Sequence, residues 1–559
     1  MKKTFLIFIL VVIFITGCGK TSSSKVVEEF DKKINNLKSY YVEGVMELIN
    51  NEDIYTYKNE TSANETTGRP NNMMSLAKGT TSTSFSTKYR LRMYVDESYN
   101  PQGDGGNLAF SIKINAYGKT GDKMPKTEPV AKVLLSGVGD NGVIDTTDSE
   151  QTFITGTNPN NYIWYSGKLW RAVSIDPSDN SVKLVTQWNI SSLPYNAENN
   201  TAFKGSYMEQ WLNDTSVDGF LGNLREPDKF IKTDSVWNAT LTTATTKPEK
   251  TTMVTDAVGL LNIYEYTMSY KNATYSTGYL NNGLVWWTLT PYSTSYVRGV
   301  NHYGVGSYDS PTYLSHGSRP SINLKSAVKI IDGDGTVDNP YRLQGDNDSP
   351  TGALLSTRYS GEYISFGTGD NNLYRIVSHE NGTGTKITSA IPLKDSGNYK
   401  KMSFGSNVTF SKDNTIGTFL NGDYLTSGTY LTSDQVNMIE DNTTWYLGTV
   451  GDASYKLAKY QDATGSNLTT STTTAKIGLL RIGELMAGQF DKAGNNATYW
   501  TLTPRNTAYV SCVGSNGTAG MCMKQLSFGS RPSMNLKSNV IITGGKGTTR
   551  EPFTIKLGS

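Results

Sequence analysis

Apolar and polar positions change rhythm several times along the chain. An unbroken apolar run at 5–15 follows Lys2 and Lys3. It is shorter than the roughly 20 residues a spanning helix needs, and its basic flank fits an export signal. Val26, Val27, Phe30, Ile34 and Leu37 then recur at helical spacing behind Ser22, Ser23 and Ser24, which can cap a helix start. Tyr40, Val42, Met46 and Leu48 alternate, a polar turn follows at 50–53, and Ile54–Tyr57 completes a predicted hairpin. Residues 59–85 are polar and read as linker. Alternation returns at Tyr89, Leu91, Met93 and Val95 and again at Phe110, Ile112, Ile114 and Ala116, which predicts two antiparallel strands within 86–149.

The second part of the chain repeats itself. WTLTP at 287–291 recurs at 500–504, and HGSRPSINLKS at 316–326 recurs as FGSRPSMNLKS at 528–538. Weaker echoes keep the same order: LWRAV at 169–173 with LYRIV at 373–377, WLN at 211–213 with FLN at 419–421, and VGLL at 258–261 with IGLL at 477–480. The pattern predicts a hairpin, a short helix ending in [WF]-L-N and a second short helix around G-L-L, followed by the two strand motifs. The expected organisation is a signal peptide at 1–17, an anchor, helix and hairpin at 18–58, and a linker at 59–85. A small β region at 86–149 precedes repeat one at 150–345, a linker at 346–353 and repeat two at 354–559.

Charge narrows the function classes. The 559 residues carry 52 Lys+Arg against 50 Asp+Glu, and only 18% are charged, below the roughly 25% of ordinary soluble domains. Nucleic-acid binding draws on clustered cations, and no basic stripe is present, so that class is set aside. The Asn, Thr, Ser, Gly and Tyr in their place suit an exported β-rich protein.

Two resemblances add to this reading. Ile15-Thr16-Gly17-Cys18 is similar to the bacterial lipobox, which implies lipidation of Cys18 and a place outside the cytoplasmic membrane. Residues 25–58 resemble the opening of clostridial lipoproteins related to the outer-membrane lipoprotein carrier fold. The motif order of each repeat, W-T-L-T-P then G-S-R-P-S-x-N-L-K-S then G-x-G-T, resembles an uncharacterised bacterial domain family similar to C-type-lectin-like and sulfatase-modifying-factor folds. That resemblance covers roughly 400 residues. It implies a β-rich α+β architecture of tandem C-type-lectin-like domains, preceded by a helical stalk and a small antiparallel β region. It implies no established activity.

Candidate chemistry is sparse. His302, His316 and His379 have no counterparts between repeats, and zinc-protease, hydrolase-elbow and phosphate-loop motifs are absent from the sequence. No enzyme is expected. Cys512 and Cys522 flank Ser515-Asn516-Gly517, a tight-turn signal that would face them across a hairpin as a disulfide. Asp332, Asp334 and Asp338 offer an oxygen cage that suits calcium. Repeat two puts Lys546 and Arg550 in that loop, so the turn is shared and the metal optional. Arg319 and Arg531 suit tying backbone carbonyls or a carboxylate. The segment between the two strand motifs differs most between copies. In copy one it holds Tyr296, Arg298, His302, Tyr303, Tyr308, Asp309 and Tyr313, a tyrosine-rich ligand face of the kind binding loops use. The expected function is non-catalytic binding of a carbohydrate or protein by a lipid-anchored protein at the bacterial cell surface, as adhesin or receptor. A structural envelope role and an enzyme on the modifying-factor-like scaffold are the alternatives.

Overall fold

The computed structural model describes strands at 9–15, 42–48, 54–57 and 85–95, and then residues 128–558 apart from 197, 313–315, 346–349, 380–383, 449–471 and 491–497. Two compact units emerge, Met1–Asp122 and Lys123–Ser559. Strand outweighs helix, 34% to 13%, as a β-rich α+β composition requires.

In the first unit the expected hairpin is present: Val42–Leu48 pairs antiparallel with Ile54–Tyr57. The strand expected around 89–95 runs over Phe85–Val95 and pairs with Val42–Leu48 on one side. On its other side lies Ile9–Ile15, the latter part of the apolar run, whose β-branched residues suit a strand. The helix expected after Ser24, the strand at 110–116 and Cys18 lie outside the described residues. Among the described residues no helix is long and apolar enough to cross a membrane.

In the second unit the repeat in sequence is a repeat in topology. Copy one lays Tyr162–Tyr165, Lys168–Ile175, Val182–Thr186 and Ser321–Leu324 side by side; copy two does the same with Tyr363–Ser365, Leu373–His379, Thr385–Ser389 and Ser533–Asn535. A second, five-stranded sheet in each copy is centred on the WTLTP strand, Trp286–Pro291 or Tyr499–Pro504, and ends at the edge strands Gly306–Asp309 and Ala519–Met523. Trp287 and Trp500 are buried in these central strands, but the threonines that alternate with them, Thr288, Thr290, Thr501 and Thr503, are buried as well, so the strands are covered on both faces rather than half-buried.

The W-L-N helix forms in both copies, as Tyr207–Asn213 capped by Ser206 and as Thr415–Asn421 capped by Asn414. Of the second short helices expected around G-L-L, copy one forms Ile263–Met268 directly after the motif, capped by Asn262, whereas copy two has only turns there, and the motif itself is extended in both. Val258–Gly259 is a strand paired with Ser321–Leu324, and Gly478 bridges Ser533 in the same way. Tryptophan explains both glycines: a Cβ on Gly259 would lie 2.4 Å from the Trp237 ring, and one on Gly478 would lie 2.5 Å from the Trp445 ring. The terminal asparagine of each helix fastens this extended segment. Asn213 accepts from Val258 N and donates to Val258 O, at 2.9 Å each way, and Asn421 does the same with Ile477 at 3.0 Å.

The copies are packed against each other. Val377, Leu480, Ile482, Leu485, Met486, Tyr499 and Val513 of copy two belong to the core of copy one, while copy two keeps a second core of its own. Each large apolar side chain buried there contributes about 1.5–3 kcal/mol over leaving it in water. Polar ties close the seam. Gly167, at φ +71°, abuts copy two so closely that a Cβ would sit 2.4 Å from Ser360 O. Lys168 Nζ donates to Ser166 O at 2.9 Å and to Ser360 O at 2.8 Å, and Arg375 donates to Gly361 O at 2.9 Å and across to Gly167 O at 3.2 Å.

Candidate functional site

The tyrosine-rich segment of copy one folds as a hairpin in which Val297–Val300 pairs with Gly306–Asp309, Arg298 opposite Tyr308. Its five-residue turn closes through Asn301 N to Val305 O at 2.9 Å and Gly304 N to Asn301 O at 2.9 Å, with Gly304 at φ +85°. Asn301 Oδ1 accepts from the backbone of Tyr303 and Val305, and Tyr266 OH donates to Gly304 O at 2.6 Å. The tip is therefore held by its own polar atoms and by the body of copy one, and it presents His302, Tyr303 and Val305 outward. Tyr303 is 65% exposed, with the His302 ring 3.9 Å away, centre to centre.

A second aromatic group sits at the hairpin's base. Tyr292 and Tyr308 stack face to face at 4.0 Å and Tyr296 meets Tyr308 edge-on at 5.5 Å. Tyr308 and Tyr296 remain exposed on their other sides. Offset or parallel aromatic pairs of this kind fix ring orientation at little entropic cost. Tyr275, also exposed, lies beside the tip, because a Cβ on Gly304 would meet its carbonyl at 2.4 Å. Sequence spacing gave no signal for that neighbour.

Two of the residues expected on this face are placed differently. Arg298 is buried: Nε donates to Thr242 O at 3.0 Å, Nη2 donates to Thr243 O, and the guanidinium covers the Tyr292 ring. It ties a neighbouring loop to the strand because an arginine pointing inward must satisfy its fork on carbonyls. Asp309 is partly buried, which pushes its carboxyl above the usual range. Beneath the hairpin His316 stacks on Trp287 at 4.1 Å and reaches within 3.7 Å of Asp309. Burial pushes the His316 imidazole down to about 3, so at neutral pH this contact joins a neutral ring to the carboxyl rather than two ions. Tyr313 lies outside the described residues.

Copy two builds the same turn on different terms. Gly514 N bonds Thr518 O at 2.7 Å, Gly517 N bonds Gly514 O at 2.9 Å, and Gly517 has φ +80°. This tip is plugged into copy one: Val285 N donates to Asn516 O at 2.8 Å and Ser192 Oγ donates to Gly517 O at 2.9 Å. Cys512 and Cys522 form a disulfide with Cα atoms 5.9 Å apart. They are diagonal neighbours, since the register sets Cys512 opposite Gly520 and Cys522 opposite Val510. The equivalent positions of copy one are Gly299 and Asp309, and His316 stands where copy two has Phe528.

The three aspartates weighed for calcium do not converge. Asp332 accepts from Gly333 N at 2.8 Å, Asp334 from Thr336 N and Oγ1 at 3.1 and 2.7 Å, and Asp338 pairs with Arg550 of copy two. Among the described residues no group of three His, Cys, Asp or Glu is placed to hold a metal ion. A cleft lined by Val217, Asp218, Val377, Ser378 and Gly483–Leu485 offers about 10 Å³, the room of one water.

Arg319 and Arg531 act as carbonyl ties. Arg319 donates to Thr186 O at 2.9 Å and Leu280 O at 2.8 Å; Arg531 donates to Ser389 O at 2.8 Å and Met486 O at 2.9 Å. The sequence reading missed a buried ion pair shared by both copies, Lys183 with Glu265 and Lys386 with Glu484, each ammonium about 5 Å from a tryptophan ring, Trp237 or Trp445. Aligning the strands VKLVT and TKITS, each with one lysine amid a buried strand, would have found it.

Comparisons with known protein families, with curated proteins and with solved structures found no match to this chain.

Proposed function

We propose that this chain is a non-catalytic surface-binding lipoprotein, anchored through Cys18 outside the bacterial membrane, which recognises a carbohydrate or protein through the tyrosine-rich hairpin of copy one. One observation carries the reading: the same turn is covered in copy two and open in copy one, where it presents Tyr303 at 65% exposure beside His302, Val305 and Tyr275. Exposed tyrosines on a rigid support give contact area with little ordering cost. The lectin-like resemblance of the repeats is compatible with such a face, and the occlusion of the copy-two tip favours one ligand site per chain. The Tyr292–Tyr308 stack and Tyr296 extend the face toward the hairpin's base. The shared core of the two copies favours a second reading, a rigid structural element of the envelope.

Screening the full-length chain against bacterial and host glycans and surface proteins separates the two. Saturable binding that is lost in Tyr303→Ala and Tyr308→Ala, and kept in calcium-chelating buffer, is the expected result. Binding indifferent to both substitutions removes the proposed face, and no saturable ligand at all moves the weight to the structural reading.

A further inference from the structure

Two of the repeated sequences, LWRAV and GSRPS, each carry an arginine, and in copy one both arginines are buried in the same place. Arg171 lies opposite Val185 in the sheet, and Arg319 donates to the carbonyl of the next residue, Thr186, at 2.9 Å. Tyr279 adjoins both: its ring lies 4.7 Å from the Arg171 guanidinium, and Arg319 donates to the carbonyl of Leu280 at 2.8 Å. Among the described residues neither guanidinium pairs with a carboxylate. The groups that act electrostatically on Arg319 are Tyr266, Tyr279 and Arg171, and on Arg171 they are Tyr162 and Tyr279. Burial, with the Arg171 charge added, pushes the Arg319 guanidinium down to about 9, so it keeps its charge at neutral pH.

Carbonyls and rings take up part of each fork. Arg171 Nη2 donates to Pro159 O at 3.3 Å and the guanidinium lies 3.6 Å from the Tyr162 ring, while Arg319 lies 4.6 Å from the Trp286 ring. Three donors remain: Arg171 Nε, Arg319 Nη2 and Trp286 Nε1 are buried without partners. Two like charges and three open N–H groups shielded from water are costly unless a negative charge lies among them.

Copy two supplies acceptors from within. Arg375 lies opposite Tyr363 as Arg171 lies opposite Tyr162, and Arg531 is the counterpart of Arg319. Tyr499 stands where copy one has Trp286, and its hydroxyl accepts from Arg531 at 3.0 Å. Glu362 stands where copy one has Asn161, since their carbonyls accept from the residue after each arginine, Ile376 N at 2.9 Å and Ala172 N at 3.0 Å. Copy two also leaves Arg375 Nη1 and Arg531 Nη2 open, but it holds an acceptor hydroxyl and a buried carboxylate, bonded to Arg358, that copy one lacks.

We infer that copy one binds a small monovalent anion, of which chloride is the type, through Arg171 Nε, Arg319 Nη2 and Trp286 Nε1, in the role that Glu362 and the Tyr499 hydroxyl fill in copy two. Enclosure sets its size: all three side chains are fully buried, which leaves no outlet for the tail of a larger carboxylate or phosphate ester. Water is the competing occupant, because Asn161 Oδ1 is an open acceptor in the same region, but water brings no charge to offset two guanidiniums. The site is distinct from the exposed tyrosines and stands whether or not they bind a ligand.

Unfolding of the full-length chain in chloride, with gluconate holding the ionic strength constant, tests the assignment. Raising chloride from about 1 to about 100 mM should raise the unfolding midpoint saturably, by about 1–4 °C. Asn161→Glu with Trp286→Tyr imports the residues of copy two, and this double variant should lose the dependence. In crystals grown from bromide, anomalous scattering should place one ion among the three N–H groups, a measurement that needs no variant. A midpoint indifferent to chloride, a dependence that survives in the folded double variant, or a water in that place in the bromide crystals would each overturn the assignment.

Discussion

The two hairpins share a turn, hydrogen bond for hydrogen bond, and differ in nearly everything around it. In copy two the tip is buried against copy one, the strands are stapled by Cys512–Cys522, and the outer face carries Met521 and Met523. In copy one the tip is open, the staple positions are Gly299 and Asp309, and the outer face carries tyrosines. The space beneath follows suit. A Cβ on Gly299 would lie 2.8 Å from His316, so the missing side chain is what lets the imidazole lie flat on Trp287; Phe528 instead meets Trp500 at 78°. Backbone geometry has been kept while surface chemistry has been rewritten, which is how one scaffold comes to serve two purposes.

The firmest test of this contrast starts from what has not diverged. Lys183–Glu265 and Lys386–Glu484 occupy the same buried place, so Lys183→Met and Lys386→Met should each cost about 3–5 kcal/mol, because either leaves a carboxylate buried without its partner. Similar losses in chemical denaturation would confirm a common scaffold. A loss in one copy alone would show that the scaffolds have parted as well. Adding leucine for the glutamate should restore most of the stability in both copies.

The staple comes next in size. Cys512→Ser with Cys522→Ser should lower stability by about 2–4 kcal/mol, and a reductant should do the same to the unmodified protein. Gly299→Ala, the matching intrusion in copy one, should cost about 1–3 kcal/mol by displacing His316 from Trp287 or shifting the strand off Trp286 O. Equal effects of reductant on the paired and serine proteins would mean that the disulfide contributes nothing to the fold.

Much of this architecture was legible in the sequence because repetition compensates for weak local signals. WTLTP and GSRPS marked two copies and the strands that pair within each. The second helix was placed only to within a few residues, starting at Ile263 in copy one and absent in copy two, because apolar residues in a row carry no period of their own and the contact that keeps G-L-L extended, a tryptophan ring over the glycine, comes from elsewhere in the chain. Arg298 was assigned to the ligand face on composition. Strand alternation cannot reveal that a distant loop, 242–243, covers that side of the hairpin. The occluded tip of copy two was illegible for the same reason: Asn-Gly predicts a turn, and the turn formed, but its partner Val285 lies far away in sequence.

The most gradual expected effect sits at the seam that buries one hairpin tip and leaves the other free. Lys168 is fully buried there on two carbonyls, one from each copy, with Arg375 nearby and Glu362 as the neighbouring carboxylate. Burial, with a contribution from the Arg375 charge, lowers its ammonium from 10.5 to about 7. Between those values the unfolded chain holds a proton that the folded chain has released, so stability rises with pH, by at most about 1.4 kcal/mol per unit from this one group. Below pH 7 both states are protonated and the slope vanishes. Denaturation between pH 7 and 9 should show the rise, and Lys168→Met should flatten it while leaving the Lys183 and Lys386 pairs intact. An unchanged slope in that variant would mean that Lys168 stays charged in the fold, and that its two carbonyls and Glu362 offset the cost of burying it.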